Sequence, residues 1–289
     1  MITVEEVGSI QPILVGVGET LDCAAAIMNR HHIKHLPVVE GDCLVGMLSA
    51  RDLVGVVSAT TSRTEQAGRP DRPLDHDHRV KVGDVSSPHV CVVSCDTTIH
   101  RAAWLMVRHK ISSLPIVRDN RIIGMLTDTD LLRAFMDGIP RLQGPDPTNA
   151  WRHCPVADFM TNPVWTVDAT SSVLHAWMLM REHGVRHLAV VQDHPLELVA
   201  GILSDEDVYY ALRESRTCGD TPQPRECLPR IALADIMTHE VITIGKYDKL
   251  VHAAGKMLSH GISALLVMDS GLEGIITRID LLKAMVKAG

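Results

Sequence analysis

Four segments of the chain end in one short pattern, and any fold must accommodate that pattern four times. They are Gly46-Met47-Leu48-Ser49-Ala50-Arg51-Asp52-Leu53, Gly124-Met125-Leu126-Thr127-Asp128-Thr129-Asp130-Leu131, Gly201-Ile202-Leu203-Ser204-Asp205-Glu206-Asp207-Val208 and Gly274-Ile275-Ile276-Thr277-Arg278-Ile279-Asp280-Leu281. Each runs glycine, two apolar residues, a hydroxyl, two variable residues, aspartate and an apolar residue. The aspartates lie 78, 77 and 73 positions apart. Self-similarity at so long a period marks one supersecondary unit copied four times.

The repetition extends upstream. Met28, Met106, Met180 and Met257 each close a segment of helical periodicity, and nine residues later comes the middle of an apolar run, at Pro37, Pro115, Ala189 and Leu266. From there to the glycine is 9, 9, 12 and 8 residues. The variation falls in the turn between two apolar runs, where hairpins tolerate it. One unit therefore predicts a strand such as Pro163-Val164-Trp165-Thr166-Val167, then a helix with apolar positions spaced like Leu21, Ala24, Ala25 and Met28. Strands over His35–Val39 and Cys43–Leu48 follow, turned through Gly41-Asp42, and a short helix over Ala50–Val57 ends the unit. A β-α-β-β-α element of about 55 residues buries little core alone, so the copies should pair.

The breaker-rich segments between copies predict the division. Repeats occupy 1–58, 81–137, 156–213 and 232–289, with linkers at 59–80, 138–155 and 214–231, the middle one separating two pairs. The chain has 289 residues, 46% of them hydrophobic, and a net charge of −7. The acidic balance and 3% aromatic content argue against nucleic acid as a partner. No apolar run approaches the length of a membrane span. Met1 leads through Ile2 and Val4 into the first repeat, so no signal peptide is expected. Seven scattered cysteines read as reduced thiols in a cytoplasmic protein. Gly-x-Gly-x-x-Gly, Walker-type and Gly-x-Ser-x-Gly patterns are missing, and the repeats use up the chain, so an enzyme is not expected.

The element order, the apolar-Leu-Pro-Val-Val strand and the Gly-apolar-apolar-Ser/Thr-x-x-Asp ending resemble the cystathionine-β-synthase (CBS) domain. The resemblance covers nearly the whole chain outside the linkers. It implies an α/β (α+β) fold of four CBS repeats paired into two Bateman modules, assembled as a flat disc within one chain. The layout is similar to that of the gamma subunit of AMP-activated protein kinase.

The resemblance further implies that the hydroxyl contacts a phosphate and the aspartate a ribose diol. Residue by residue, that gives Ser49 with Asp52, Thr127 with Asp130, Ser204 with Asp207, and Thr277 with Asp280. The step opens a helix, whose free N–H groups suit an anion. A plain capping box is the alternative, and the two roles are compatible. Arg51 and Arg278 add base to the first and fourth loops, whereas Asp128, Asp205 and Glu206 add acid to the second and third. Like-charge repulsion would disfavour phosphate beside those acids, unless all these side chains are simply solvated. Lys34-His35 and Arg186-His187 precede a strand leucine where the kinase subunit carries a His-Arg phosphate pair. The order is inverted here, and a basic strand end facing water is the plainer reading. Lys34, His35, Ser49, Arg51 and Asp52 make the first repeat the most complete phosphate site. Trp165 either lines such a cleft or belongs to the core.

Histidines His31, His109, His183 and His260 recur three residues after each repeat methionine, which places them at helix ends rather than in a metal site. The expected function is a regulatory sensor of AMP, ADP or ATP acting on an unknown partner protein, with no required cofactor. An S-adenosylmethionine sensor and a ligand-free scaffold are the alternatives, and self-association of the chain is left open.

Overall fold

The computed structural model describes residues 2–56, 80–119, 121–137, 147–192, 198–217 and 231–288. The linker segments 59–78, 138–146 and 218–229 lie outside the described residues, as does the turn at 193–197.

Each repeat folds much as its periodicity predicts. In the first, the helix Leu21–His31 begins at Thr20, whose hydroxyl accepts from the Cys23 backbone N–H at 3.2 Å. Leu21, Ala24 and Met28 face the core. The strands His35–Glu40 and Cys43–Ser49 pair antiparallel, with Leu36 opposite Leu48. The opening strand is shorter than expected. In the third repeat it covers only Thr166–Asp168 and pairs parallel to His187–Gln192, leaving Val164 and Trp165 ahead of it.

The repeats pair through exchanged arms. The segment ahead of the first repeat's own strands runs against the second repeat, with Ser9 opposite Met125, while Ser87 ahead of the second bridges Met47 of the first. The same exchange joins Thr161 to Ile275 and Thr238 to Ile202. This crossing explains the repeat glycine. A Cβ at Gly124 would lie 2.7 Å from the Ser9 carbonyl oxygen, and one at Gly274 would lie 2.7 Å from Met160 Sδ and 3.1 Å from the Thr161 carbonyl oxygen. Gly274→Val should therefore destabilise the fold by about 1–3 kcal/mol through overpacking, read as a lower urea midpoint.

The first two repeats share one sheet, joined where Cys43 meets Arg121. The third and fourth keep separate three-stranded sheets, which pack through Ala189, Ala264, Leu266 and Ile275. The helices carry contact between the two pairs. Ile99–His109 and Asp128–Asp137 of the second repeat share a core with Leu250–Ser259 and Arg278–Ala288 of the fourth. The first and third repeats share another, built on Met28, Leu36, Val54, Trp177, Met180 and Tyr209. The four repeats are thus in contact within one chain.

One side chain departs from the expected linker at 138–155. Trp151, in the 3-10 turn Pro147–His153, is fully buried in the core of the second and fourth repeats. Its neighbour Arg152 donates to the Phe135 and Met136 carbonyl oxygens at 2.6 and 2.8 Å. A cation there satisfies the open carbonyls of a helix end.

Candidate nucleotide clefts

In all four Ser/Thr-x-x-Asp steps the aspartate accepts from the backbone N–H and hydroxyl three residues before it, and in the first three its own N–H donates back to close a capping box. The Ser49 backbone N–H and hydroxyl donate to Asp52 Oδ2 at 2.7 and 2.6 Å, and the Asp52 N–H donates back to Ser49 Oγ at 3.3 Å. Asp130 accepts from Thr127 at 2.9 and 2.7 Å, Asp207 from Ser204 at 2.7 and 2.7 Å, and Asp280 from Thr277 at 3.0 and 2.6 Å. Each box spends one carboxylate oxygen. Lys283 donates to the other oxygen of Asp280 at 2.7 Å. Among the described residues, no group donates to the second oxygen of Asp52, Asp130 or Asp207.

Two cavities sit over these steps. The smaller, of about 410 Å³, lies between the first and second repeats against Arg186, Asp205 and Glu206 of the third, and is lined by Ser49, Asp52, Arg51, Lys34 and His35. Across it stand Ser87, His89, Val90 and Cys91 of the exchanged arm, with His109 and Lys110 of the second repeat. The larger, of about 810 Å³, is lined by all four repeats. It takes in Thr127, Thr277, Arg278 and Asp280, along with Arg186 and His187, and shares Lys34, His35, Arg51 and Arg186 with the smaller. Asp130, Ser204 and Asp207 line neither cavity.

The charged loops do not face water separately. They meet across the contact between pairs. Lys34 is ion-paired with Glu206. Arg278 reaches Asp128 at 3.3 Å and Thr129 Oγ1 at 2.7 Å. Arg186 pairs with the buried Asp205 at 2.9 Å and donates to Ser112 Oγ at 3.2 Å. Burial opposes the charge on Arg186, but Asp205, Asp128 and Glu206 hold its guanidinium above its ordinary range. The acids that sequence reasoning set against phosphate in their own loops thus neutralise bases, two of these pairs joining different repeats. Arg51 and Lys110 have no carboxylate within ion-pair distance among the described residues. Arg51 lies over the Trp177 ring, 5.7 Å from its centre. Both bases line both cavities, so the uncompensated positive charge sits where the two cavities adjoin.

Two histidines at the centre stay neutral. His35 and His187 are each pushed down to about 4, chiefly by burial, with Arg186 and Lys34 adding to the effect and Asp205 opposing it. His187 Nε2 sits 2.9 Å from Ser263 Oγ of the fourth repeat. The unfolded chain takes up these protons near the ordinary 6.5, so it binds more protons than the fold between pH 6.5 and 4. Stability should fall as pH drops through that window, on the order of 1–3 kcal/mol per histidine, and should hold steady above it. Burial raises the Asp207 carboxyl, which works in the opposite sense at the acid end. Urea melts from pH 7 to 4 check this, and His187→Gln should flatten the profile.

Lys110, Cys91 and His89 escaped the sequence reading because they reach the cavity of Asp52 from the next repeat, His89 and Cys91 on the exchanged arm and Lys110 at the end of the helix Ile99–His109. Trp165 is 44% exposed and lines the larger cavity, so the core reading of it fails.

A family comparison agrees with this construction. The chain belongs to the CBS-domain family, whose model matches residues 4–59, 82–137, 156–214 and 233–287. Among its relatives, protein MJ1225 of Methanocaldococcus jannaschii is 26% identical over 271 residues, 91% of each chain. The crystal structure of that protein, proposed as an archaeal homologue of g-AMPK, superposes with a TM-score of 0.82 at 24% identity, covering 98% of this chain and 99% of the other. An uncharacterized conserved protein from Pyrococcus horikoshii gives a TM-score of 0.63 at 19% identity, over 98% of this chain and all of the other. Hypoxic response protein 1 of Mycobacterium tuberculosis is 32% identical over 132 residues, 45% of this chain and 84% of its own length. Among the described residues, no helix is long and apolar enough to cross a membrane.

Proposed function

We propose that the chain is a regulatory sensor that binds an adenosine-containing ligand, AMP, ADP or ATP foremost, in clefts between paired repeats. The bound state is passed to a partner protein. One observation carries the reading: Asp52 lines a cavity with one carboxylate oxygen held in its helix cap and no donor on the other among the described residues. A ribose diol supplies that donor, and Arg51 and Lys110 line the same cavity where phosphate would sit. The ion pairs of Asp128 and Asp205 weigh against S-adenosylmethionine, because carboxylates already matched to Arg278 and Arg186 have less to offer a sulfonium. The same pairs supply a route for the signal. A phosphate drawn to Lys34 or Arg278 competes with Glu206 or Asp128 of another repeat, and so favours a different contact between the pairs.

A ligand at 100 times its dissociation constant should stabilise the fold by about 2.7 kcal/mol. Melting curves with millimolar AMP, ADP, ATP, S-adenosylmethionine and NAD check this. A scaffold whose aspartates serve only as caps predicts that all five leave the curve unmoved.

A further inference from the structure

The four helix caps share one Ser/Thr-x-x-Asp pattern and differ in the exchanged arm that crosses beside each. Four residues beyond each bridged arm position stand Ile13, Cys91, Trp165 and Ile242. Only the arm facing Thr277 and Asp280 thus presents an aromatic ring at this place. The Trp165 indole lies flat on the His183 imidazole, with ring centres 3.4 Å apart and planes 10° apart. Both rings line the larger cavity beside Val164, Val185, Thr277 and Asp280. His183 ends the helix Val173–His183, so a regular element sets the position of the supporting ring. One face of the indole is covered by this stack, and the side chain still keeps 44% of its surface exposed.

We propose that the Trp165–His183 stack is a base-recognition subsite, which makes the cleft of the fourth repeat selective for ligands with a planar heteroaromatic ring. This rests on the sensor reading above and adds to it the residue that distinguishes one cleft from the others. A ring held flat by its neighbour loses little freedom when a base stacks on it, so the contact is preorganised. Stacking of a base on an aromatic side chain is broad in its choice of base, because every base has a π-face. The subsite therefore selects for the presence of a base, while Thr277 and the Lys283–Asp280 pair line the same cavity for the sugar and phosphate.

The test uses the full chain and calorimetry with AMP and with ribose 5-phosphate, which lacks the base. Trp165→Leu should weaken AMP roughly ten- to a hundredfold at one class of site and leave ribose 5-phosphate unchanged. Trp165→Phe, which keeps a ring, should retain most of the affinity. Far-UV dichroism and the melting temperature confirm that each variant folds. AMP binding unchanged in Trp165→Leu, or lost in step with ribose 5-phosphate, overturns the subsite alone. A wild-type chain that binds no adenine nucleotide overturns both the subsite and the sensor reading.

Discussion

Trp177→Ala is expected to destabilise the whole chain by about 3–5 kcal/mol, the range for removing a large buried aromatic side chain. Trp177 is 1% exposed in the core that joins the first and third repeats, and Arg51 of the first repeat lies over its ring. The side chain belongs to the third repeat, yet its removal opens a cavity in the core that it shares with Val54 and Met28 of the first. The loss should therefore reach both pairs of repeats. Hydrogen exchange is the sharper readout, since protection should fall in Leu21–His31 as well as in Val173–His183. Loss of protection confined to the third repeat would mean that the pairs fold independently.

Asp52→Ala should weaken adenine-nucleotide binding roughly ten- to a hundredfold, the equivalent of a charge-assisted hydrogen bond worth about 1.5–3 kcal/mol. Asp130→Ala should cost much less. Both substitutions remove the same kind of helix cap, worth about 0.5–2 kcal/mol of stability, so the difference between them isolates the cleft. The asymmetry comes from charge. Arg51 and Lys110 line the cavity at Asp52, whereas the loop before Asp130 carries Asp128, paired with Arg278. Arg51→Ala should accordingly weaken ATP more than adenosine. Equal losses from the two aspartate variants in calorimetry would show that local charge does not decide which cleft fills.

Much of this was legible in the sequence because the repeat is a local signal. The spacing of Leu21, Ala24 and Met28 fixes a helix face, alternation fixes the hairpin His35–Glu40 with Cys43–Ser49, and a hydroxyl three residues before an aspartate marks a cap. What stayed hidden is non-local. Nothing in the period says that Ser87 bridges Met47, so the reason for a glycine at Gly46 or Gly124 is hidden until the crossing arm is seen. The packing of the repeats carries Lys110 to the cleft of Asp52, and brings Arg186 and His187 to the cavity of Asp280 as well as to their own strand. Glu206 and Lys34 lie 172 positions apart, and their opposite signs read as a difference between loops until the fold makes them an ion pair. Trp151 was hidden for another reason. It stands among prolines and glycines, whose breaker signal outweighs one aromatic residue.

The central claim is that one chain, with its four repeats in contact, holds an adenosine-containing ligand. Native mass spectrometry of the freshly purified protein, before and after adding AMP or ATP, tests it most directly. The account predicts a folded species carrying the added mass of one or more nucleotides, with occupancy reduced in Asp52→Ala. A spectrum that shows only the bare chain at saturating AMP and ATP would contradict it.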